Sequence, residues 1–132
     1  TESRGVRECL NYGHTLGHAV EALAGYGTFS HGAAVAEGMR FAARLGRELV
    51  GTPDDLVATQ DELLDALGLP PLEWSAPAAD MLSAMKRDKK TRAGAVRFVV
   101  PRDIGDWELV SVPDDVILAH LRAWEAGKEA AQ

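Results

Sequence analysis

The chain reads as a mainly α-helical domain that carries one small β-hairpin. Three observations lead there. Apolar residues recur at three- and four-residue intervals in five separate stretches, the spacing of helices with one buried face. Gly, Pro and Ser/Thr/Asp residues fall between those stretches, where caps and turns need them. Only two runs, Ala95-Val96-Arg97-Phe98-Val99-Val100 and Trp107-Glu108-Leu109-Val110-Ser111-Val112, have the β-branched and aromatic content of strands. At 132 residues, residues 1–132 make a single domain, long enough for a core of its own.

The first helix is expected over residues 6–24, where Leu10, His14, Leu16, Val20 and Ala24 share helical spacing. Gly13 and Gly17 inside it cost about 1 kcal/mol each relative to alanine, so a backbone or a ligand is expected to come close there. Gly25-Tyr26-Gly27-Thr28 ends the helix in a loop. Ser30 is placed to cap a second helix over 31–50, closed by Gly51. Its buried stripe is read as Val35, Met39, Ala42, Ala43 and Leu45, with Arg40, Arg44 and Arg47 outside. Thr52-Pro53-Asp54-Asp55 supplies a cap and a first-turn proline for the third helix, which ends at Gly68 before the Pro70-Pro71 connector. A fourth helix over 76–88 carries basic residues at its C-terminal end, where cations suit the helix dipole. The two strand runs follow, joined by a loop containing Pro and Gly. Pro113-Asp114-Asp115 opens a last helix to about residue 126, and 127–132 are expected to fray.

Composition narrows the function. A net charge of −6 argues against nucleic acid or an anionic membrane as the main partner. No apolar run approaches the roughly 18 residues of a membrane span, and no charged-then-apolar leader is visible. Cys9 alone cannot form an internal disulfide and fits a reducing cytosol, so a cytoplasmic protein is expected. The chain opens Thr1-Glu2-Ser3-Arg4-Gly5, without Met, and its densest motif follows at once. The expectation is a piece of something longer, cut just upstream of a site.

That motif is a histidine cluster. His14 and His18 lie four apart in Asn11-Tyr12-Gly13-His14-Thr15-Leu16-Gly17-His18-Ala19, and on a helix they share a face. His31 follows in Ser30-His31-Gly32. Histidine is the commonest metal ligand and titrates near neutrality, so three imidazoles in one region point to a metal or proton-transfer site. The zinc-protease helix needs Glu directly after its first His; Thr15 stands there, and that reading fails. Arg7 lies one turn before Asn11 and two before His14, a strip of guanidinium, amide and imidazole suited to an oxygen-rich anion. Met85-Lys86-Arg87-Asp88-Lys89-Lys90-Thr91-Arg92 puts five positive charges into eight positions of an acidic chain, a second place for phosphate or carboxylate. His120, among Leu118, Ala119 and Leu121, reads as structural. Trp74, Trp107 and Trp124 read as packing aromatics, and Cys9 as an inert buried thiol.

The segment 7–21, from Arg7 through Asn11, His14 and His18 to Glu21, resembles the signature of 3-dehydroquinate synthases, enzymes of the shikimate pathway. His31-Gly32-Ala33-Ala34-Val35-Ala36-Glu37-Gly38-Met39, then Met85 to Lys90, Arg97-Phe98-Val99-Val100-Pro101 and Ile104-Gly105 resemble later blocks of that family, in family order. The family commonly has Glu where Ala33 stands. The resemblance implies a complete enzyme with an N-terminal NAD-binding α/β domain and a C-terminal helical domain, of which this chain is the latter part. It implies His14 and His31 as ligands of a divalent metal, zinc or cobalt, with a third ligand, a glutamate, upstream. His18 would serve the proton relay, Arg7 and Asn11 would bind substrate oxygens, and Lys89 the substrate carboxylate or phosphate, with Lys90 a second cation. The implied reaction turns a heptulosonate phosphate into 3-dehydroquinate and phosphate, by oxidation with NAD, elimination, return of the hydride and ring closure. The implied partners are a small sugar phosphate and a second copy of the enzyme, with no nucleic acid and no membrane. Another NAD- and metal-dependent sugar-phosphate cyclase is the alternative, iron-type alcohol dehydrogenases rank third, and the isolated chain is expected to be a non-catalytic helical module.

Overall fold

The structure, a computed structural model, describes residues 10–87 and 95–130. Its elements run α1 (His14–Ala24), α2 (His31–Leu49), α3 (Asp54–Ala66), α4 (Ala78–Lys86), β1 (Val96–Asp103), β2 (Asp106–Val112) and α5 (Asp114–Ala130). The mainly helical architecture with one antiparallel hairpin is as the residue pattern requires.

Helix α2 is the axis of the structure, packed by α1, α3, α5 and β1. Helix α1 also lies on α4, which in turn packs on α5. The core between them is built from Leu16 and Val20 of α1, Phe41 and Leu45 of α2, Met81 and Met85 of α4, Val96, Phe98 and Val100 of β1, and Ile117 and Leu121 of α5. The hairpin pairs Val96 with Val112 and Pro101 with Trp107, with an irregularity between Pro101 and Asp103. Strand β1 runs on past Pro101, so the connection is only Ile104 and Gly105, shorter than the loop expected from the sequence; Gly105 takes the left-handed φ of 73° that the turn needs.

Four expectations change. The first helix does not run unbroken through 6–24. Leu10 and Asn11 are helical, the chain turns at Tyr12 and Gly13, and α1 starts at His14 with Gly13 at φ 84°. The cause is α2: a Cβ on Gly13 would stand 2.5 Å from the Val35 carbonyl oxygen and 2.9 Å from the Met39 nitrogen. Gly38 of α2 faces the Gly13 carbonyl just as closely, and Gly17 lies on the backbone of Ala34 and Val35, so the two helices meet backbone to backbone. The close approach expected at Gly13 and Gly17 is thus another helix.

Second, Arg40 is not on the outer face. It is 6% exposed, and its guanidinium donates to the Leu69 carbonyl (2.8 Å) and to Asp65 (2.8 Å) while lying 3.6 Å from Asp61. A central helix has little outer face, and α3 brings the carboxylates that let a charge be enclosed. Val35 and Met39 are correspondingly only half-buried, against α1. Third, Thr52 does not cap α3. Its buried hydroxyl donates to the Pro101 carbonyl, tying the end of α2 to β1, and Pro53 occupies the cap position. The Ser30 cap is as expected, its Oγ accepting from the Ala33 N–H at 3.1 Å. Fourth, α5 continues through Gly127 to Ala130 instead of fraying. Lys128 holds it down, with Nζ 2.7 Å from both Glu37 Oε2 and the Leu72 carbonyl.

Candidate metal and substrate site

Helix α1 presents His14, His18 and Glu21 at positions one, five and eight, a single face on a 3.6-residue repeat. The chain then turns back through Gly25 and Gly27, and the Ser30 cap starts α2 with His31 as its first residue. Because α1 and α2 touch through glycines, the two helix faces are close enough for their imidazoles to meet. The rings of His14 and His31 are 5.5 Å apart between centroids, at an interplanar angle of 62°. Those of His14 and His18 are also 5.5 Å apart, at 83°. His14 and His18 are half-buried, and His31 is exposed.

Two imidazoles bound through Nε2 to one tetrahedral ion, with bonds of about 2.0–2.1 Å, have ring centroids roughly 5 Å apart. The His14–His31 and His14–His18 pairs both stand close to that separation. The hydrogen bonds on the other ring nitrogens agree. His31 Nδ1 lies 3.1 Å from Glu21 Oε1, and His14 Nδ1 lies 3.4 Å from the Tyr12 carbonyl oxygen. A carbonyl and a carboxylate accept, so each contact calls for a proton on Nδ1, and a neutral ring so protonated has its Nε2 lone pair open to a metal. The His14–His31 pair therefore fits a divalent metal as a partial donor set. Among the described residues no group of three or more His, Cys, Asp or Glu side chains is arranged to hold a metal ion.

Asn11 is exposed, in the helical stretch before the turn at Gly13. It is therefore not on one continuous helical strip with His14. Arg7, Lys89, Lys90 and Cys9 lie outside the described residues. Tyr12, between Asn11 and the site, is buried and donates its hydroxyl to Gln60 Oε1 (2.5 Å), with the Met39 carbonyl oxygen 3.1 Å away. Burial pushes its hydroxyl well above the ordinary tyrosine range, so it is a neutral tie between α1, α2 and α3 and not a proton donor near neutrality. Thr15, in the position of the protease glutamate, donates to the Arg97 carbonyl at 2.7 Å and joins the site helix to β1.

A cleft of about 720 Å³ lies elsewhere, between α2, α5 and residues 71–73, lined by Arg44, His120 and Trp124 among others; none of His14, His18 and His31 borders it. His120 has a structural partner, its Nε2 2.7 Å from Glu48 Oε1, and Trp74 and Trp124 stack edge-on at 6.4 Å, as packing aromatics should. Two features escaped the residue pattern. Glu37, only 3% exposed, accepts from the Leu72 N–H and the Trp124 indole N–H, both at 2.8 Å, and pairs with Lys128. Glu21, the partner of His31, could have been found, because it stands three residues after His18 and seven after His14 on the same helical face.

The fold is that of sugar-phosphate cyclases. A structure of 2-deoxy-scyllo-inosose synthase complexed with carbaglucose-6-phosphate, NAD+ and Co2+ matches with a TM-score of 0.74 at 25% identity, over 86% of this chain and 34% of that one. Residues 1–91 match the family model for the 3-dehydroquinate synthase C-terminal domain, and the chain belongs to that family. The 3-dehydroquinate synthase of Acidithiobacillus ferrooxidans is 44% identical over 126 residues, which cover 91% of this chain and 33% of that protein. That of Nocardia farcinica is 47% identical over 115 residues, covering 86% and 30%. The chain spans about a third of the length of these curated relatives. No helix among the described residues is long and apolar enough to cross a membrane.

Proposed function

We propose that this chain forms the metal- and substrate-binding part of a 3-dehydroquinate synthase. The proposed reaction converts 3-deoxy-D-arabino-heptulosonate 7-phosphate to 3-dehydroquinate and phosphate, with NAD and a divalent metal, zinc or cobalt. The observation that carries this reading is the convergence of the His14 and His31 rings at 5.5 Å, with both Nδ1 atoms already engaged. His14 and His31 would hold the metal, with further donors from outside the described residues. Such an ion would supply Lewis-acid polarisation of hydroxyl and ketone oxygens, and NAD would supply the redox capacity.

His18, one turn along α1 from His14 and half-buried beside it, is the proton-transfer group of this reading, since an imidazole can accept and return a proton near neutrality. Asn11 offers an exposed amide to substrate hydroxyls, and Arg7 and Lys89 would supply cations for the phosphate and carboxylate. Orientation by these groups lowers the entropic part of the barrier.

Phosphate release from the heptulosonate phosphate by the whole enzyme, supplied with NAD and zinc or cobalt, tests the reading. Turnover is expected, and its loss on replacing His14 or His31. Release only from a hexose phosphate or another heptulose phosphate would favour a second reading, a different sugar-phosphate cyclase, which the likeness to 2-deoxy-scyllo-inosose synthase supports. The 132 residues alone are proposed to bind zinc weakly and not to turn over, because the histidine pair is an incomplete donor set. Calorimetric zinc titration of the chain and of the whole enzyme separates the cases: equally tight binding by both refutes the incomplete-site argument.

A further inference from the structure

We propose that Glu21 is a positioning residue that fixes the tautomer and ring orientation of His31, so that His31 Nε2 faces His14. The inference rests on the reading of His14 and His31 as metal ligands. It assigns Glu21 no contact with substrate or metal.

Three observations converge on it. His31 is the first residue of α2, with its side chain 58% exposed, so helix packing alone does not select one ring orientation. The Glu21 carboxylate is 13% exposed and stands 3.1 Å from His31 Nδ1. An ionised carboxylate has no hydrogen to give, so this contact needs the proton on Nδ1, the less common tautomer of a free imidazole, and leaves Nε2 as the donor atom. Finally, Glu21 lies in the last turn of α1, where the helix dipole disfavours negative charge. Helix stability does not account for a carboxylate there. A position that breaks a local rule while orienting a ligand imidazole has the form of the carboxylate–histidine–metal relay, in which the outer carboxylate sets how well the inner ring binds.

The test uses the full chain, labelled with nitrogen-15, in three forms: unchanged, Glu21→Gln and Glu21→Ala. Long-range proton–nitrogen spectra above pH 8 read the tautomer of each neutral imidazole, and backbone amide spectra show that each variant is folded. His31 is expected as the Nδ1–H form in the unchanged chain. The form should persist with Gln, whose amide oxygen still accepts, and give way to the Nε2–H form with Ala, while His14 stays as it was. Zinc added to the same samples up to millimolar concentration should bind Glu21→Ala 10- to 100-fold more weakly than the unchanged chain, with Gln between them. An Nδ1–H His31 in Glu21→Ala, or zinc affinity equal to that of the unchanged chain, overturns the assignment to Glu21. Metal retained by the whole enzyme after His31→Ala, with the tautomer responding to Glu21 as described, instead overturns the metal reading and leaves the orientation of His31 by Glu21 standing.

Discussion

Replacing Gly13 with alanine tests the contact that brings the histidines together. Two separate terms oppose the change. Gly13 has φ 84°, and an L-residue in left-handed geometry costs about 1–2 kcal/mol. The added Cβ would also lie 2.5 Å from the Val35 carbonyl oxygen, 2.7 Å from Met39 Cγ and 2.9 Å from the Met39 nitrogen. Met39 Cγ can swing away; the two backbone atoms belong to a helix packed on most of its sides and cannot. Overpacking of this kind costs typically about 1–3 kcal/mol, so Gly13→Ala should lose roughly 2–5 kcal/mol in all.

Gly27→Ala supplies the control. Gly27 has φ 91°, but a methyl group added there would meet nothing within 4 Å, so it carries the backbone term without the steric one. Urea unfolding of the three chains, followed by circular dichroism, should place Gly13→Ala below Gly27→Ala by about 1–3 kcal/mol, or about 1 M in midpoint. A small domain is stable by only about 0.05–0.15 kcal/mol per residue, so the difference is a sizeable part of the total. Equal midpoints for the two variants would refute the claim that backbone contact at Gly13 sets the approach of α1 to α2.

Three further outcomes follow from the same structure. Glu37→Ala strands the Leu72 and Trp124 N–H groups and an 11%-exposed Lys128; breaking such a buried pair from one side should cost about 3–5 kcal/mol by urea unfolding, and a cost below about 1 kcal/mol would contradict the network. Tyr12 is raised in the folded state, so its hydroxyl ionises first in the unfolded chain: stability should hold below about pH 10 and fall as pH rises above it, and Tyr12→Phe should flatten that alkaline limb. In the whole enzyme, His14→Ala or His31→Ala should remove bound metal, whereas His18→Ala should keep it and lose turnover; metal analysis beside phosphate release would expose any other pattern.

How much of this could be read from the chain alone depended on the range of the interactions. Helices α2 to α5 and the hairpin announce themselves through local periodicity and through Ser30, Gly51, Gly68 and Pro113 at their boundaries. The break at Gly13 does not, because a helix tolerates a glycine and the demand for φ 84° comes from Val35 and Met39 on another element. The same holds for Arg40 and Glu37. Charged residues on an alanine-rich helix read as a solvated face, and only Asp65, 25 residues on, and Trp124, 87 residues on, make them interior groups. The histidines were legible because they crowd into 18 positions joined by one turn.

That locality explains why the site could be recognised before it could be built. Residue types at His14, His18 and His31 announce imidazole chemistry, but the ring separation on which the proposed metal pair rests depends on α1 and α2 meeting without intervening side chains. Gly13, Gly17 and Gly38 permit this, and a side chain at any of them would push the helices apart or shift one along the other. The ring separation is thereby set by backbone contact, which yields far less than side-chain packing, and rigid elements are what a metal site requires of its scaffold. His31 is the weak point in this arrangement, since it stands at the exposed start of its helix and no glycine contact reaches it. The Glu21 carboxylate reaches His31 Nδ1 from α1 at 3.1 Å, so that one helix face carries His14 and His18, the proposed ligand and the proposed proton carrier, together with the group proposed to aim the second ligand.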